Sequence, residues 1–488
     1  MALVWTELLE ELRAADLLVS APAAGPAPVA LTTDSRAVRP GWAYLAVRGS
    51  QADGHRFVPD AVHRGASAVV VEAATGSGVP EIVVRDGRRA ALALGAAWFG
   101  HPARRLTLVG VTGTNGKTTT TGLIGHLLNA GGSSGSIGTL GAFDGRGQQV
   151  DSTAGTLTTP GPIDLQATLA ALLERGVDRV TMEASSHSLD QGRLDGLLFA
   201  AGVFTNLTRD HLDYHETMES YLLAKLKLAG MLAESGVEVV KLDDDAWRVL
   251  PARGRRVTFG LHPAADVRAG SVVLDAAGSR FTLTGCFGQA EVALPLLGDF
   301  NVANALAAAA CALGLGIPIA EVAARLSSSP QVPGRMEILC EAPCIVIRDY
   351  AHTPDALERA LATLRPLTAG RLVVVFGCGG DRDKGKRPLM GRVAAALADV
   401  AVVTSDNPRT EDPGAIIDDI EQGMAGVAHI RIPDRLTAIH AALDQARPGD
   451  TILLAGKGHE TYQVLGTDRV PFDEREIVGK ALRGARDR

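Results

Sequence analysis

The stretch GVTGTNGKTTTT, residues 110–121, carries the first chemistry legible in the chain. It follows the apolar run LTLVGV and opens a helix expected over about Lys117–Asn129. A glycine-rich turn between strand and helix lets backbone N–H groups face an anion, and the helix N-terminus adds a favourable field. Gly113 and Gly116 keep Cβ atoms out of that cradle, and Thr114, Asn115 and Thr119 belong to the same loop. Lys117 is spaced to reach the β- and γ-phosphates of a nucleotide, and Thr118 to ligate Mg²⁺. The strict G-x-x-x-x-G-K-T spacing is not met, because Val111 stands at the first glycine.

Two further clusters suit phosphate chemistry. The strand-like VTMEASSH places Glu183 at a strand end, where a carboxylate can hold a metal ion or its water; a solvated strand-end acid is the alternative. TNLTRDHLDYH, 205–215, gathers Asp210, His211, Asp213 and His215. His211 and His215 lie four apart, a helical spacing open to Zn²⁺. The absence of HExxH and the acidic setting favour a harder ion, Mg²⁺. A capped helix start with polar decoration explains the same residues without a metal. No N-K-x-D element accompanies the phosphate loop, which speaks against a switch GTPase.

These residues need a scaffold of several domains, and 488 residues suffice for three. Apolar residues make up 46% and aromatics only 4%, so the cores must be built from Ala, Val and Leu. The formal charge of −7, with no Lys/Arg block, argues against a nucleic-acid partner. Five cysteines without a CxxC pair read as free thiols rather than a zinc site. The N-terminus is acidic and amphipathic, unlike a signal peptide, and the apolar run 305–320 is too short and too broken to span a bilayer. The expectation is a soluble cytoplasmic protein.

The fold class expected is α/β in three domains. Residues 1–103 hold short strands such as WAYLAV and ASAVVVEAA. Residues 104–330 begin with the phosphate loop, include a helix over roughly Met218–Ala233, and close near SSSPQVPG. Residues 331–488 alternate strand and helix through CIVIRDY, RLVVVFG, VAVVTSD, HIRI and TILLAG, which reads as a parallel sheet with right-handed crossovers. Ligands of such sheets sit at the carboxyl ends of strands. Those ends here are Asp349, Gly377–Asp383, Asp406–Arg409 and Gly456–Glu460.

Nine motifs in order, TGTNGKTTT, MEASSH, TNLTRDHLD, LLGDFNVANALAA, PGRME, DYAHTP, GCGGDRDKGKRPLM, DNPRTEDP and AGKGHE, resemble the Mur ligase family from TTDSR at 32 to FDERE at 472. The resemblance implies a small UDP-binding domain, a central ATPase-like domain and a Rossmann-like C-terminal domain. It implies that ATP phosphorylates the D-glutamate side chain of UDP-MurNAc-L-Ala-D-Glu and that an amino acid's amine attacks the acyl phosphate. Two Mg²⁺ ions are implied, held by Thr118, Glu183, His211 and Lys225, with Lys225 as a CO₂-derived carbamate. Lys117, Glu183, His211 and Lys225 take the catalytic roles. Asn301, Arg335, Asp349 and His352 join Gly113–Thr119 as ATP contacts. Ser35, Gln51, Ala52, Thr158, Thr159, Ser185, Gln191 and Arg193 are implied contacts to the nucleotide-linked substrate. Lys241 stands where relatives commonly show Asn. A monomer is expected.

The acceptor is read from TSDNPRTEDP, 404–413. Arg409 is a fixed bidentate donor suited to a carboxylate. Diaminopimelate has a distal carboxylate and lysine has none, so diaminopimelate is expected; the resemblance implies that Arg382, Asp406, Asn407, Pro408, Gly456 and Glu460 complete its pocket. A lysine-adding ligase, folylpolyglutamate synthase, a motor and a scaffold module are the competing readings. The first-domain residues 32–57 disfavour the synthase, and idle Lys117 and Glu183 disfavour a scaffold.

Overall fold

The computed structural model describes residues 3–49, 52–150, 157–251 and 254–486, so the expected contact Gln51 lies outside the described residues. Two compact units emerge. The first comprises Met1–Ala269, Leu283–Ala290 and Asn304–Arg325; the second comprises Gly270–Thr282, Glu291–Ala303 and Leu326–Arg488. No helix among the described residues is long and apolar enough to cross a membrane.

The first unit opens with strands β1 (Leu18–Ser20), β2 (Leu31–Thr32), β3 (Ala43–Leu45), β4 (Ala68–Val71) and β5 (Glu81–Val84), in sheet order β1-β5-β4-β3-β2. Only β1 is antiparallel. Every residue of β4 is buried because the sheet is covered on both faces, which is why AVVV is an unbroken apolar run. Asp86 caps the helix Gly87–Trp98 by accepting from the amides of Arg88 and Arg89.

The same unit holds β6 (Thr107–Thr112), β7 (Ser134–Gly138), β8 (Gly141–Phe143), β9 (Arg179–Glu183), β10 (Phe199–Phe204), β11 (Leu232–Lys241) and β12 (Arg255–Gly260). They lie in the order β12-β11-β10-β6-β9-β7-β8, all parallel except β8. Because β6 lies between β9 and β10, the loops leaving Thr112, Glu183 and Phe204 emerge side by side at one sheet edge. The expected helix Met218–Ala233 is shorter than that. It ends at Leu226, tightens into a 3₁₀ turn over Lys227–Met231, and Leu232 already begins β11. Pairing of β11 with β10 takes residues that local helix propensity would have kept.

After β13 (Val267–Asp275), β14 (Gly278–Gly285) and β15 (Gly288–Leu294), whose residues are divided between the units, comes the sheet of the second unit. Its strands are β16 (Glu337–Cys340), β17 (Ile345–Asp349), β18 (Leu372–Phe376), β19 (Val400–Val403), β20 (Ile430–Arg431) and β21 (Thr451–Ala455). The order is β16-β17-β21-β18-β19-β20, with β16 antiparallel at the edge and the rest parallel. Three crossover helices start on side-chain caps: Thr353 for Pro354–Leu364, Asp412 for Pro413–Glu421 and Asp434 for Arg435–Asp444. Proline at the first turn of two of them costs nothing, since those N–H groups have no helical partner. The carboxyl ends of β21, β18 and β19 are neighbours, so 456–460, 377–383 and 404–409 gather at one edge. A hairpin of β22 (Tyr462–Leu465) and β23 (Asp468–Pro471) follows.

Candidate active site

The phosphate loop is built by close approach. A Cβ on Gly113 (φ +147°) would sit 1.9 Å from Thr205 Oγ1, and one on Gly116 (φ +80°) 2.2 Å from Asn304 Oδ1. The loop is pinned to the residues after β10: Thr205 Oγ1 donates to Asn115 O at 2.8 Å, the Asn115 amide donates to Asn206 Oδ1 at 2.9 Å, and Thr114 Oγ1 donates to Thr208 O at 3.1 Å. Lys117 Nζ donates to the loop carbonyls of Gly113 and Thr114 at 3.0 and 2.8 Å. Thr118 and Thr119 are buried in the first helical turn.

Lys225, the last basic residue of helix Met218–Leu226, reaches the same loop. Its Nζ is buried, donates to Gly113 O at 2.7 Å and lies 4.3 Å from the centre of the Tyr221 ring. Burial, reinforced by the charge of Lys117, holds its amine well below the usual lysine range. Burial likewise lowers the imidazole of His211, keeping it neutral and able to ligate. His211 packs against His187 and Tyr221, with centroids 4.9 and 6.2 Å away. The helical four-residue spacing considered for a zinc pair is not kept. His211 caps a four-residue helix, Leu212–His215, in a left-handed conformation, and His215 turns into the core with Nε2 unbonded.

Glu183 ends β9 with its side chain buried and its carboxylate clamped by Thr139, whose amide donates at 2.8 Å and whose hydroxyl donates at 3.1 Å. Around it the structure gathers most of the expected substrate contacts. Thr158 Oγ1 lies 3.3 Å from Thr139 Oγ1, Thr159 Oγ1 donates to Glu183 O and lies 3.2 Å from Ser185 Oγ, and Arg193 donates to Thr159 O and to Gln191 Oε1. Gln191 lines a cavity of about 430 Å³ with Arg48, Arg88, Asp190 and Tyr214. Arg88 ties it to the first sheet by donating to Gln191 O at 2.6 Å. Ser35 is buried in a turn capped by Asp34, whereas Ala52 is exposed. Among the described residues no three His, Cys, Asp or Glu side chains converge at metal-binding spacing. A cation would draw on mixed donors, namely the Glu183 carboxylate, threonine hydroxyls and the neutral His211 ring. The oxygen donors suit a hard ion, and the imidazole is a borderline ligand.

In the second unit, Arg335 stacks over Tyr350 at 4.7 Å, and Asp349 accepts from the amide of Met336 at 2.7 Å. His352 is exposed, with Nδ1 2.8 Å from Tyr350 O. Asn301 is buried and donates to Leu297 O. The loop 404–409 is held from behind by the hairpin: the Arg409 amide donates to Val464 O, and Asn407 Oδ1 accepts from the Val464 amide at 2.9 Å. Arg409, at φ +53°, donates from Nη1 to Gly380 O at 2.8 Å. Gly456 is required by contact, since a Cβ would lie 2.4 Å from Asp406 Oδ2. Asn407 Nδ2 donates to Glu460 Oε2 at 2.8 Å. Arg382 is exposed and donates to Asp381 O. Pro408 is buried between Asn407 and Arg409.

Sequence reasoning missed Thr139, Asn304, Tyr221 and Lys457. Asn304 and Lys457 lie inside quoted motifs, but nothing in those motifs shows what their side chains touch.

Three family models match: the Mur ligase family catalytic domain over residues 29–105, the Mur ligase middle domain over 111–312, and the Mur ligase glutamate ligase domain over 334–458. The chain is 47% identical to the UDP-N-acetylmuramoyl-L-alanyl-D-glutamate--2,6-diaminopimelate ligase of Gloeobacter violaceus, over 94% of both chains. It is 45% identical to the protein of the same name from Geobacillus kaustophilus, over 93% of this chain and 95% of that one. A solved structure of a ligase so named superposes with TM-score 0.67 at 33% identity, covering both chains fully. With phosphate loop, buried lysine and strand-end carboxylate on this scaffold, the chain belongs to the Mur ligase family.

Proposed function

We propose that this chain is an ATP-dependent amide-bond ligase that joins diaminopimelate to the D-glutamate of UDP-MurNAc-L-Ala-D-Glu, a step of peptidoglycan precursor synthesis. The carrying observation is the likeness to ligases of that name over 93–94% of this chain. A carboxylate is a poor electrophile. Transfer of the γ-phosphoryl group makes an acyl phosphate and ADP; the amine then adds to the acyl carbon, and phosphate leaves as the amide forms. Lys117 is placed to turn from its loop carbonyls to the transferring phosphoryl group. Bound Mg²⁺ would offset the negative charge gathered on the phosphates and the reacting carboxylate.

Family membership implies ATP and Mg²⁺. Two ions held through Thr118, Glu183, His211 and a carbamylated Lys225 are our finer proposal, supported by the buried Glu183 and the low basicity of Lys225. We assign the nucleotide-sugar to residues 1–103, phosphoryl chemistry to 104–330 and the amino acid to 331–488. Arg409 would take the distal carboxylate of diaminopimelate, and Asp406 and Glu460 its distal ammonium. The test is ADP release from ATP and Mg²⁺ with the UDP-dipeptide and, in turn, meso-diaminopimelate, LL-diaminopimelate or L-lysine. Turnover confined to a diaminopimelate supports the reading; preference for lysine refutes the role given to Arg409.

A further inference from the structure

Lys457 follows β21 in the loop 456–460, and its side chain is fully buried. A buried ammonium is costly to desolvate and persists only where partners meet its donors. Here Nζ donates to Glu460 Oε2 and to Asn407 Oδ1, both at 3.1 Å. The rings of Tyr462 and Phe472 stand 5.8 and 6.0 Å away. The three polar side chains form a closed triangle, because Asn407 Nδ2 donates to the same Glu460 Oε2 at 2.8 Å.

The triangle has a direction. Asn407 Oδ1 faces two donors, Lys457 Nζ and the Val464 amide, so its NH₂ must face Glu460. Glu460 Oε2 therefore receives two hydrogen bonds from the protein, whereas no protein hydrogen bond reaches Oε1 among the described residues. None reaches the Asp406 carboxylate, which lies over Gly456 at the neighbouring strand end. A glutamate tied by one oxygen is fixed in rotamer and presents the other to a cation. Without Lys457 the glutamate keeps only the bond from Asn407, whose amide has itself lost one of the two donors that orient it.

We propose that Lys457 is a positioning residue for acceptor selection: it fixes Glu460 and Asn407 so that Glu460 Oε1 receives the distal ammonium of diaminopimelate. This rests on the acceptor reading above. Lys457 itself touches no substrate.

A double-mutant cycle tests it in the full-length enzyme. Lys457→Met is expected to raise KM for meso-diaminopimelate about 10-fold or more, the scale of one lost charged hydrogen bond. KM for ATP and for the UDP-dipeptide should stay within about twofold of the unaltered enzyme, a split that a general loss of packing would not produce. Glu460→Gln should raise the same KM, and Lys457→Met with Glu460→Gln together should be no worse than Glu460→Gln alone. Multiplicative effects, or equal changes in all three KM values, overturn the proposal. If the Met variant does not fold, Lys457→Gln, which keeps an N–H donor, enters the same cycle with the same expectations at smaller amplitude. Failure of the unaltered enzyme to use any diaminopimelate would refute the acceptor reading instead. The cycle would then be read on the amino acid it does use, where independence of Lys457 and Glu460 still overturns the positioning role.

Discussion

Lys117 and Lys225 share one acceptor: both amines donate to Gly113 O, at 3.0 and 2.7 Å. Burial penalises the charge of the inner lysine first, and the second positive charge on the same carbonyl repels it further. Lys225 yields, its amine held well below the ordinary lysine range. A neutral amine has the free electron pair that adds to CO₂ with release of a proton, and the carbamate proposed above would place a negative charge beside Lys117. In ¹³C-bicarbonate the enzyme should show one carbamate carbon resonance that is absent from Lys225→Arg. That variant should fold and lose about 100-fold or more in turnover, the scale of one lost electrostatic stabiliser. Full activity in Lys225→Arg would remove the carbamate from the mechanism.

The guanidinium of Arg409 gives the second prediction. Its backbone sits in the left-handed region at φ +53°, held by the Val464 carbonyl and by the amide of Gly466, which donates to Arg409 O. Arg409→Lys keeps the charge and loses the planar fork. kcat/KM for meso-diaminopimelate should fall about 100-fold, while the low rate with L-lysine changes little, so discrimination collapses. KM for ATP should not move. Unchanged discrimination would show that acceptor choice lies elsewhere.

How much of this was legible in the sequence follows from the range of the interactions. The strand-end loops were, because buried parallel strands write themselves as apolar runs and their carboxyl ends as glycine and polar residues. The places of Lys117 in the strand-to-helix loop and of Arg409 in a strand-end turn were, because their glycine and proline neighbours mark those turns. The partners of Lys457, Thr139 and Asn304 were not: their contacts join residues 50, 44 and 184 positions apart. The helix beginning at Met218 was overextended for the same reason, since the β10–β11 pairing that ends it is a tertiary fact.

Gly116 tests the phosphate cradle. An alanine there meets Asn304 Oδ1 at 2.2 Å and must hold φ +80°, a backbone cost of about 1–2 kcal/mol before the clash is counted. The Asn304 side chain must move, and with it the contact to Thr120 Oγ1 at 3.4 Å. Gly116→Ala should weaken ATP binding at least about 10-fold by titration calorimetry. Gly147→Ala, also at positive φ but with open space around it, should bind ATP normally. Equal affinities in the two variants would show that the loop does not hold the phosphates.

Stability in acid gives the last prediction. His187 lies among His211, Tyr214 and His215, 4.3 Å from the Tyr214 ring, and its basicity is lowered from 6.5 to about 4, first by burial and then by the neighbouring His211 and His215. The folded-state value lies below the unfolded one, so between pH 6.5 and about 4 the unfolded chain binds a proton that the folded chain refuses. Stability linked to this group is therefore fully present above pH 6.5 and declines as pH falls towards 4. His187→Phe preserves the aromatic packing and removes the proton. Its urea midpoint should fall less than that of the unaltered protein between those two pH values, while the midpoints at pH 8 stay close. Parallel declines would show that the ring is protonated in the folded state, and that its burial does not exclude charge.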